Sequence, residues 1–228
     1  MARLSIIIPT LNAAAPLRRS LPPLAAIEAV GLLREVIFAD GGSTDQTAEI
    51  AENAGARLVP AMRGRGTQLA AGAEASRGDW MLFLHADSKL ATGWESGVRG
   101  FIDEPENIDR AAYFRFGLDD TAAVARWLEA VVDLRCRLLK LPYGDQGLLI
   151  SRGLYTRLGG FRPLPLMEDV DFVRRIGWRR LTPLGCGVKT SAIRYRRDGY
   201  LLRPLRNLCC LTLYFLGVPP RAIEKLYG

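Results

Sequence analysis

Thiols and histidine are scarce in this chain, and their arrangement excludes several classes of protein at once. Its four cysteines, Cys136, Cys186, Cys209 and Cys210, form no C-x-x-C pair. Adjacent cysteines rarely bridge each other, so neither a zinc centre nor a disulfide frame is indicated and a reducing compartment is expected. His85 is the only histidine. Long apolar runs are missing as well: Leu208 to Val218 spans eleven residues, against roughly 20 needed to cross a bilayer. No low-complexity block or internal repeat breaks the chain. The start, Met1 to Thr10, has a short apolar run ended by Pro9 and no small-residue cleavage site, so it reads as a strand and not as a leader.

What is present is an ordinary globular composition. The 228 residues are 49% hydrophobic and 24% charged, enough for one large α/β domain with a sizeable core. The net charge of +7 is mostly arginine, which suits anionic partners such as nucleotide diphosphates or lipid headgroups. Nucleic acid is not an expected partner, because the arginines are dispersed and no recognised motif accompanies them.

Apolar runs then end, one after another, on polar residues. Leu4 to Ile8 gives way to Pro9-Thr10-Leu11-Asn12, Glu35 to Ala39 stops on Asp40, and Trp80 to Leu84 stops on His85-Ala86-Asp87. Such runs suit strands covered on both faces, whose carboxyl ends open on the ligand crevice of an α/β sheet. Between them, helices are expected over about Pro16 to Ala29, from a capping box of Ser43 and Gln46 to a stop at Gly55, and from Thr67 to about Ser76. Arg57 to Pro60 reads as a third short strand. Arg63-Gly64-Arg65-Gly66 sets two guanidiniums beside a helix N-terminus, a natural seat for a phosphate. Further on, Thr92 to Ile102 reads as a helix and Ala111 to Phe116 as a strand. Thr121 to Leu141 is the longest helical pattern, and its stripe of Val124, Trp127, Leu128, Val131, Leu138 and Leu139 is expected to pack in the core. Gly144-Asp145-Gln146-Gly147 makes a turn before the strand Leu148 to Ile150. Glu168-Asp169-Val170-Asp171 then crowds three acids into a first helical turn, more than the helix dipole needs.

In order and spacing, Pro9-Thr10-Leu11-Asn12, Ala39-Asp40-Gly41-Gly42-Ser43-Thr44-Asp45, His85-Ala86-Asp87 and Met167-Glu168-Asp169 resemble the family 2 glycosyltransferases of GT-A fold. The resemblance covers about Leu4 to Arg197. Within that family, Leu84-His85-Ala86-Asp87, Gly144-Asp145-Gln146-Gly147 and Leu166-Met167-Glu168-Asp169 look most like a bacterial subgroup associated with arsenosugar biosynthesis. It implies an α/β fold with a Rossmann-like, mostly parallel central sheet flanked by helices, over residues 1–193. Residues 194–228 form a basic and apolar helical tail, packed on that domain or on a partner.

The resemblance also implies an inverting enzyme that moves a sugar from a nucleotide-diphosphate donor, with a UDP-sugar favoured, to a hydroxyl acceptor. Pro9, Thr10, Asn12, Asp40, Arg63, Arg65 and His85 are its expected donor contacts. Asp87 matches the last acid of the D-x-D motif, which holds a divalent cation, Mn2+ or Mg2+, on the diphosphate. Asp169 matches the catalytic base, with Glu168 beside it to orient the acceptor. Asp145, Gln146, Arg194 and Arg197 are assigned to the acceptor or the diphosphate. His85 departs from the pattern by standing where the first acid of D-x-D usually is, and it is not assigned to the metal.

The rival functions are a nucleotidyltransferase, which wants a Gly-rich loop after the first strand, and a nucleotide-sugar-binding regulator, which need not keep Asp169. For the tail the expectation is buried packing or a homodimer contact, with a peripheral membrane contact as the alternative. The expected location is the cytoplasm, including the inner face of the membrane.

Overall fold

The computed structural model describes residues 3–24, 27–28, 31–139 and 141–227, apart from the side chains of Leu139, Arg194 and Tyr227. Eight strands form one sheet in the order β3-β2-β1-β4-β7-β6-β8-β5. They are β1 Leu4–Thr10, β2 Leu33–Asp40, β3 Arg57–Pro60, β4 Trp80–Phe83, β5 Ser88–Leu90, β6 Ala111–Leu118, β7 Leu148–Ser151 and β8 Leu181–Thr190. Four of the seven pairings are parallel, and β7 runs antiparallel between β4 and β6.

The continuous apolar runs follow from burial on both faces of this sheet. Along β1, Ile6 and Ile8 enter one core with Trp80 and Leu82 of β4, while Ile7 enters the other with Met81 and Phe83. A pleated strand sends alternate side chains to opposite faces, so helices on both sides require apolar residues at every position. β1, β2 and β4 lie side by side and parallel, with Thr10 opposite Asp40 in register. Their polar ends therefore share one edge of the sheet.

Four expectations about the elements are corrected. The helix read over Pro16 to Ala29 is Ala14–Ser20 followed by the 3-10 turn Pro22–Leu24. Pro22 and Pro23 supply no backbone donor, which ends the helix, and Ala25, Ala26 and Ala29 lie outside the described residues. The capping box does not form. The helix is Thr47–Asn53 with Gln46 at its N-cap and no side-chain capping bond, because Ser43 is taken by Asp40. Ser88–Leu90 is a short strand on β8 that pattern reading missed.

The long helix, Ala123–Leu139, does not bury the expected stripe. It buries Ala125, Leu128, Val132 and Cys136, while Val124, Trp127, Val131, Leu134 and Leu138 are exposed. Both sets recur at helical spacing, and β6 packs against the one with smaller side chains.

The tail is helical in Ile193–Asp198, Leu202–Phe215 and Pro220–Tyr227. Its apolar run is not a core segment: Cys210 and Leu211 are buried, but Leu208, Phe215 and Leu216 face solvent. Among the described residues no helix is long and apolar enough to cross a membrane.

Candidate active site

Two strand ends are tied into a rigid ledge. Thr10 Oγ1 donates to Asp40 Oδ1 at 2.8 Å, and the backbone N–H groups of Gly42 and Ser43 donate to Asp40 Oδ2 at 3.0 and 2.8 Å. Burial alone would raise the Asp40 pKa. The hydrogen bonds from Ser43, Thr10 and Gly42 outweigh that effect and hold it below the ordinary carboxylate value. Asn12, in a left-handed conformation at φ 49°, receives the Thr44 N–H on its Oδ1 at 2.9 Å and donates its own N–H to Ser43 Oγ at 2.8 Å. Gln68 completes the ledge by donating to the carbonyls of Thr10 at 2.6 Å and Ala39 at 2.9 Å. That glutamine had no signal in the sequence, because its partners are backbone atoms on two distant strands.

The second group of residues comes from three segments. The segment between β4 and β5 delivers His85 and Asp87. The turn Gly144–Gln146 delivers Asp145. The helix Glu168–Ile176 starts after Met167, itself at φ 65°, and delivers Glu168 and Asp169 in its first turn. Gly144 lets them meet, since a methyl group on it would stand 2.7 Å from His85 Nε2 and 3.3 Å from Asp169 Oδ2.

Asp169 is oriented by two amides: Gly144 N–H donates to its Oδ2 at 2.7 Å and Val170 N–H to its Oδ1 at 2.7 Å. Glu168 is 1% exposed, and its Oε1 lies 3.4 Å from Arg65 Nη1. Burial first, then the neighbouring Asp169, push its pKa up to about 7, against the pull of Arg65. Asp145 is pushed up to about 6, by burial above all; Arg135 opposes the rise and Asp169 and Asp87 add to it. Carboxyls raised toward neutrality inside a cavity are characteristic of functional sites. The third acid of the turn, Asp171, serves the scaffold through ion pairs to Arg175 at 2.6 Å and Arg162 at 3.1 Å.

Two cavities meet over these residues. A cleft of about 1150 Å3 runs along the ledge and is lined by Pro9, Thr10, Asn12, Arg63, Arg65 and Asp87 among others. A narrower cavity of about 110 Å3 holds Asp145, Glu168 and Asp169, with Tyr143 and Tyr195 on its walls. Arg65, His85, Asp87, Leu166 and Ser191 line both, and so mark the junction. Among the described residues no group of three or more His, Cys, Asp or Glu side chains is arranged to hold a metal ion. Asp87 offers one hard carboxylate at the junction. That donor suits Mg2+ or Mn2+ when the oxygens of a bound phosphate and of water complete the shell.

Not every expected residue reaches a cavity. Gln146 is buried, its amide donating to the Phe114 carbonyl at 3.1 Å and its Oε1 receiving the Tyr143 N–H at 3.3 Å. It holds the turn and does not face an acceptor. Arg197 is engaged with Asp198 at 2.7 Å and lines neither cavity. The side chain of Arg194 lies outside the described residues. Instead the tail supplies Arg203 and Asn207 to the narrow cavity, and Arg221 and Lys225 to the cleft. Each pair is spaced i, i+4, one helical face, but nothing local says which element that face will meet.

Comparison with known proteins identifies the family and the fold. The sequence profile of Glycosyl transferase family 2 matches residues 5–160. A "PGL/p-HBAD biosynthesis glycosyltransferase" of Mycobacterium bovis (strain BCG / Pasteur 1173P2) is 33% identical over 185 residues, covering 74% of this chain and 67% of the relative. Among solved structures, the glucosyl-3-phosphoglycerate synthase of Mycobacterium tuberculosis in complex with Mn2+, UDP-glucose and glycerol 3-phosphate superimposes with a TM-score of 0.56 at 25% identity, over 83% of this chain and 70% of that one. S. aureus TarS 1-349 in complex with UDP-GlcNAc reaches a TM-score of 0.64 at 17% identity, over 99% of this chain and 70% of its own, a likeness of fold.

Proposed function

Because the chain belongs to Glycosyl transferase family 2, and is a glycosyltransferase working from a nucleotide-sugar donor, we propose that it carries out a single inverting displacement where its two cavities meet. The observation that carries this reading is the shared lining: Asp87 stands on both the broad cleft and the narrow cavity, while Asp169 stands on the narrow cavity and not on the cleft. A donor in the cleft has its diphosphate near Asp87 and its sugar at the junction, and the acceptor enters through the narrow cavity.

The residues divide the work by their chemistry. Pro9, Thr10 and Asn12 bound the nucleoside end of the cleft, while Asp40, an expected donor contact, is buried, lines neither cavity and fixes Thr10 from behind. Arg63 and Arg65, beside a helix N-terminus, face the diphosphate and offset the charge it gains as the glycosidic bond breaks. Asp87 holds Mn2+ or Mg2+, which when bound supplies electrostatic stabilisation of the leaving diphosphate. Asp169 takes the proton of the attacking hydroxyl, a contribution of about 10²–10⁴-fold. Two amide N–H groups fix its carboxylate, so the proton-accepting lone pairs have one orientation. Glu168, with its pKa pushed up to about 7, relieves the repulsion that a second full charge would impose on Asp169. His85 borders the sugar, and Asp145 the acceptor. Attack from the side opposite the diphosphate inverts the anomeric carbon.

UDP is the proposed carrier, in line with the UDP-sugars bound in the solved structures named above. For the acceptor, neither the resemblance to the arsenosugar subgroup nor the 33% identity to a mycobacterial relative names a molecule, and the proposal is made at the level of a hydroxyl nucleophile. Screening nucleotide sugars by thermal unfolding, with and without Mn2+, tests it. A donor present at about 100 times its Kd adds about 2.7 kcal/mol, or about 5–11 °C for a domain of this size. A UDP-sugar is expected to give that shift and to release UDP slowly by hydrolysis. If no nucleotide sugar raises the melting temperature, the reading fails.

A further inference from the structure

The helix Leu202–Phe215 has two unlike faces. Inward, Arg203 and Cys210 are buried, and Arg203 and Asn207 line the narrow cavity. Arg203 is held there by Asp198 at 2.8 Å. Outward, Leu201, Leu202, Leu205, Leu208, Phe215 and Leu216 form a surface whose members are between 51% and 75% exposed. The only other exposed positions of the helix are Cys209 and Thr212, so every outward position is uncharged. Single exposed leucines are ordinary on a protein surface. Six large apolar side chains along one helix are not, and such a patch marks an interaction surface.

Charge says what covers it. Seven of the chain's 31 basic residues but only two of its 24 acids fall in residues 194–228, so the tail carries +5 of the net +7. Arg174 borders the patch directly, its guanidinium 4.9 Å from the Phe215 ring. A second copy of the chain would bring an equally basic tail against this one, and like charges oppose that pairing. An anionic bilayer offers both the apolar depth and the opposite charge: basic residues near such a surface are worth about 1 kcal/mol each, and an apolar helix face buries in the headgroup boundary.

We propose that the outward face of Leu202–Phe215 docks on anionic membrane lipid, lying in the plane of the surface. Docking would bring the narrow cavity to the membrane, because the same helix forms part of its wall.

The test is co-sedimentation of the full chain with phosphatidylcholine vesicles containing or lacking phosphatidylglycerol, for wild type and for the double variant Leu205→Glu, Leu208→Glu. Both leucines are exposed and line neither cavity, so melting temperature and UDP binding should be unchanged in the variant. Those two controls also separate loss of docking from failure of the transferase reading. Wild type is expected to partition onto the anionic vesicles about tenfold or more over the neutral ones, and the variant to lose about tenfold or more of that binding. Wild type that remains in the supernatant with anionic vesicles overturns the proposal. So does a variant that binds as well as wild type, because charge alone would then suffice. Sedimentation velocity showing a wild-type dimer that the variant abolishes, with no vesicle binding, would assign the face to a second copy instead.

Discussion

Replacing Asp169 by asparagine removes one charge and one acceptor from a side chain of nearly constant size, and the geometry sets two separate costs. The first is catalytic. An amide cannot take the acceptor proton, so turnover is expected to fall by about 10²–10⁴, which is about 3–5 kcal/mol of barrier. The second is structural. Gly144 N–H and Val170 N–H each donate at 2.7 Å, to different oxygens of the carboxylate. Asparagine has a single side-chain oxygen, so one of these donors must face an NH2 group. A fully buried orphaned donor costs about 1–3 kcal/mol. Both bonds here are part-buried, which puts the cost at about 1–2 kcal/mol and the drop in melting temperature at about 2–8 °C. UDP affinity should hold within about twofold, because Asp169 stands away from the cleft and its removal costs transition-state stabilisation without costing nucleotide binding. Steady-state kinetics with acceptor at 20 °C, alongside a thermal melt and UDP calorimetry, separate the three quantities. An acceptor-dependent rate unchanged in Asp169→Asn would refute the base assignment and move the role to Glu168 or Asp145.

Two further outcomes follow from the same cluster. Glu168→Gln should flatten the pH dependence of stability. The folded-state pKa of Glu168 is raised from 4.5 to about 7, so the stability it contributes is fully present below about 4.5 and is lost as pH rises to about 7. The loss is about 3 kcal/mol for a shift of that size. Denaturant unfolding of the ligand-free protein at pH 5 and pH 8 reads this, and parallel profiles for wild type and Glu168→Gln would contradict it. Gly144→Ala should cut turnover by about tenfold or more, since its methyl group would stand 2.7 Å from His85 Nε2 and force His85 or Asp169 to move. Activity at the wild-type level in Gly144→Ala would mean that their spacing is not critical.

The strand ends were legible because burial on both faces leaves a continuous apolar run, and a polar residue that breaks such a run has few places to sit except the sheet edge. Thr10, Asp40 and Asp87 each follow such a run. The helix start after Ser43 was not legible, because two local partners compete for one group. Ser43 could cap a helix through Gln46 or bond to Asp40, and the strand end won because Asp40 is buried and needs donors. The packed face of Ala123–Leu139 was not legible either, because periodicity identifies two opposite faces but not which one the sheet covers. Arg203, Asn207, Arg221 and Lys225 were beyond reach for a different reason. Their place on the cavities depends on how the tail folds back over residues far away in sequence.

The most direct measurement of the central claim is calorimetric binding of UDP to wild type and to Asp87→Ala, each with and without Mn2+. Asp87 sits where the cleft and the narrow cavity join, on both linings, and is a half-buried strand-end residue whose loss should not disturb the core. Wild type should bind UDP at least about tenfold more tightly with Mn2+, and Asp87→Ala should lose that gain while keeping its melting temperature. If Asp87→Ala binds UDP with Mn2+ as tightly as wild type does, the cleft is not organised around Asp87 in the way proposed.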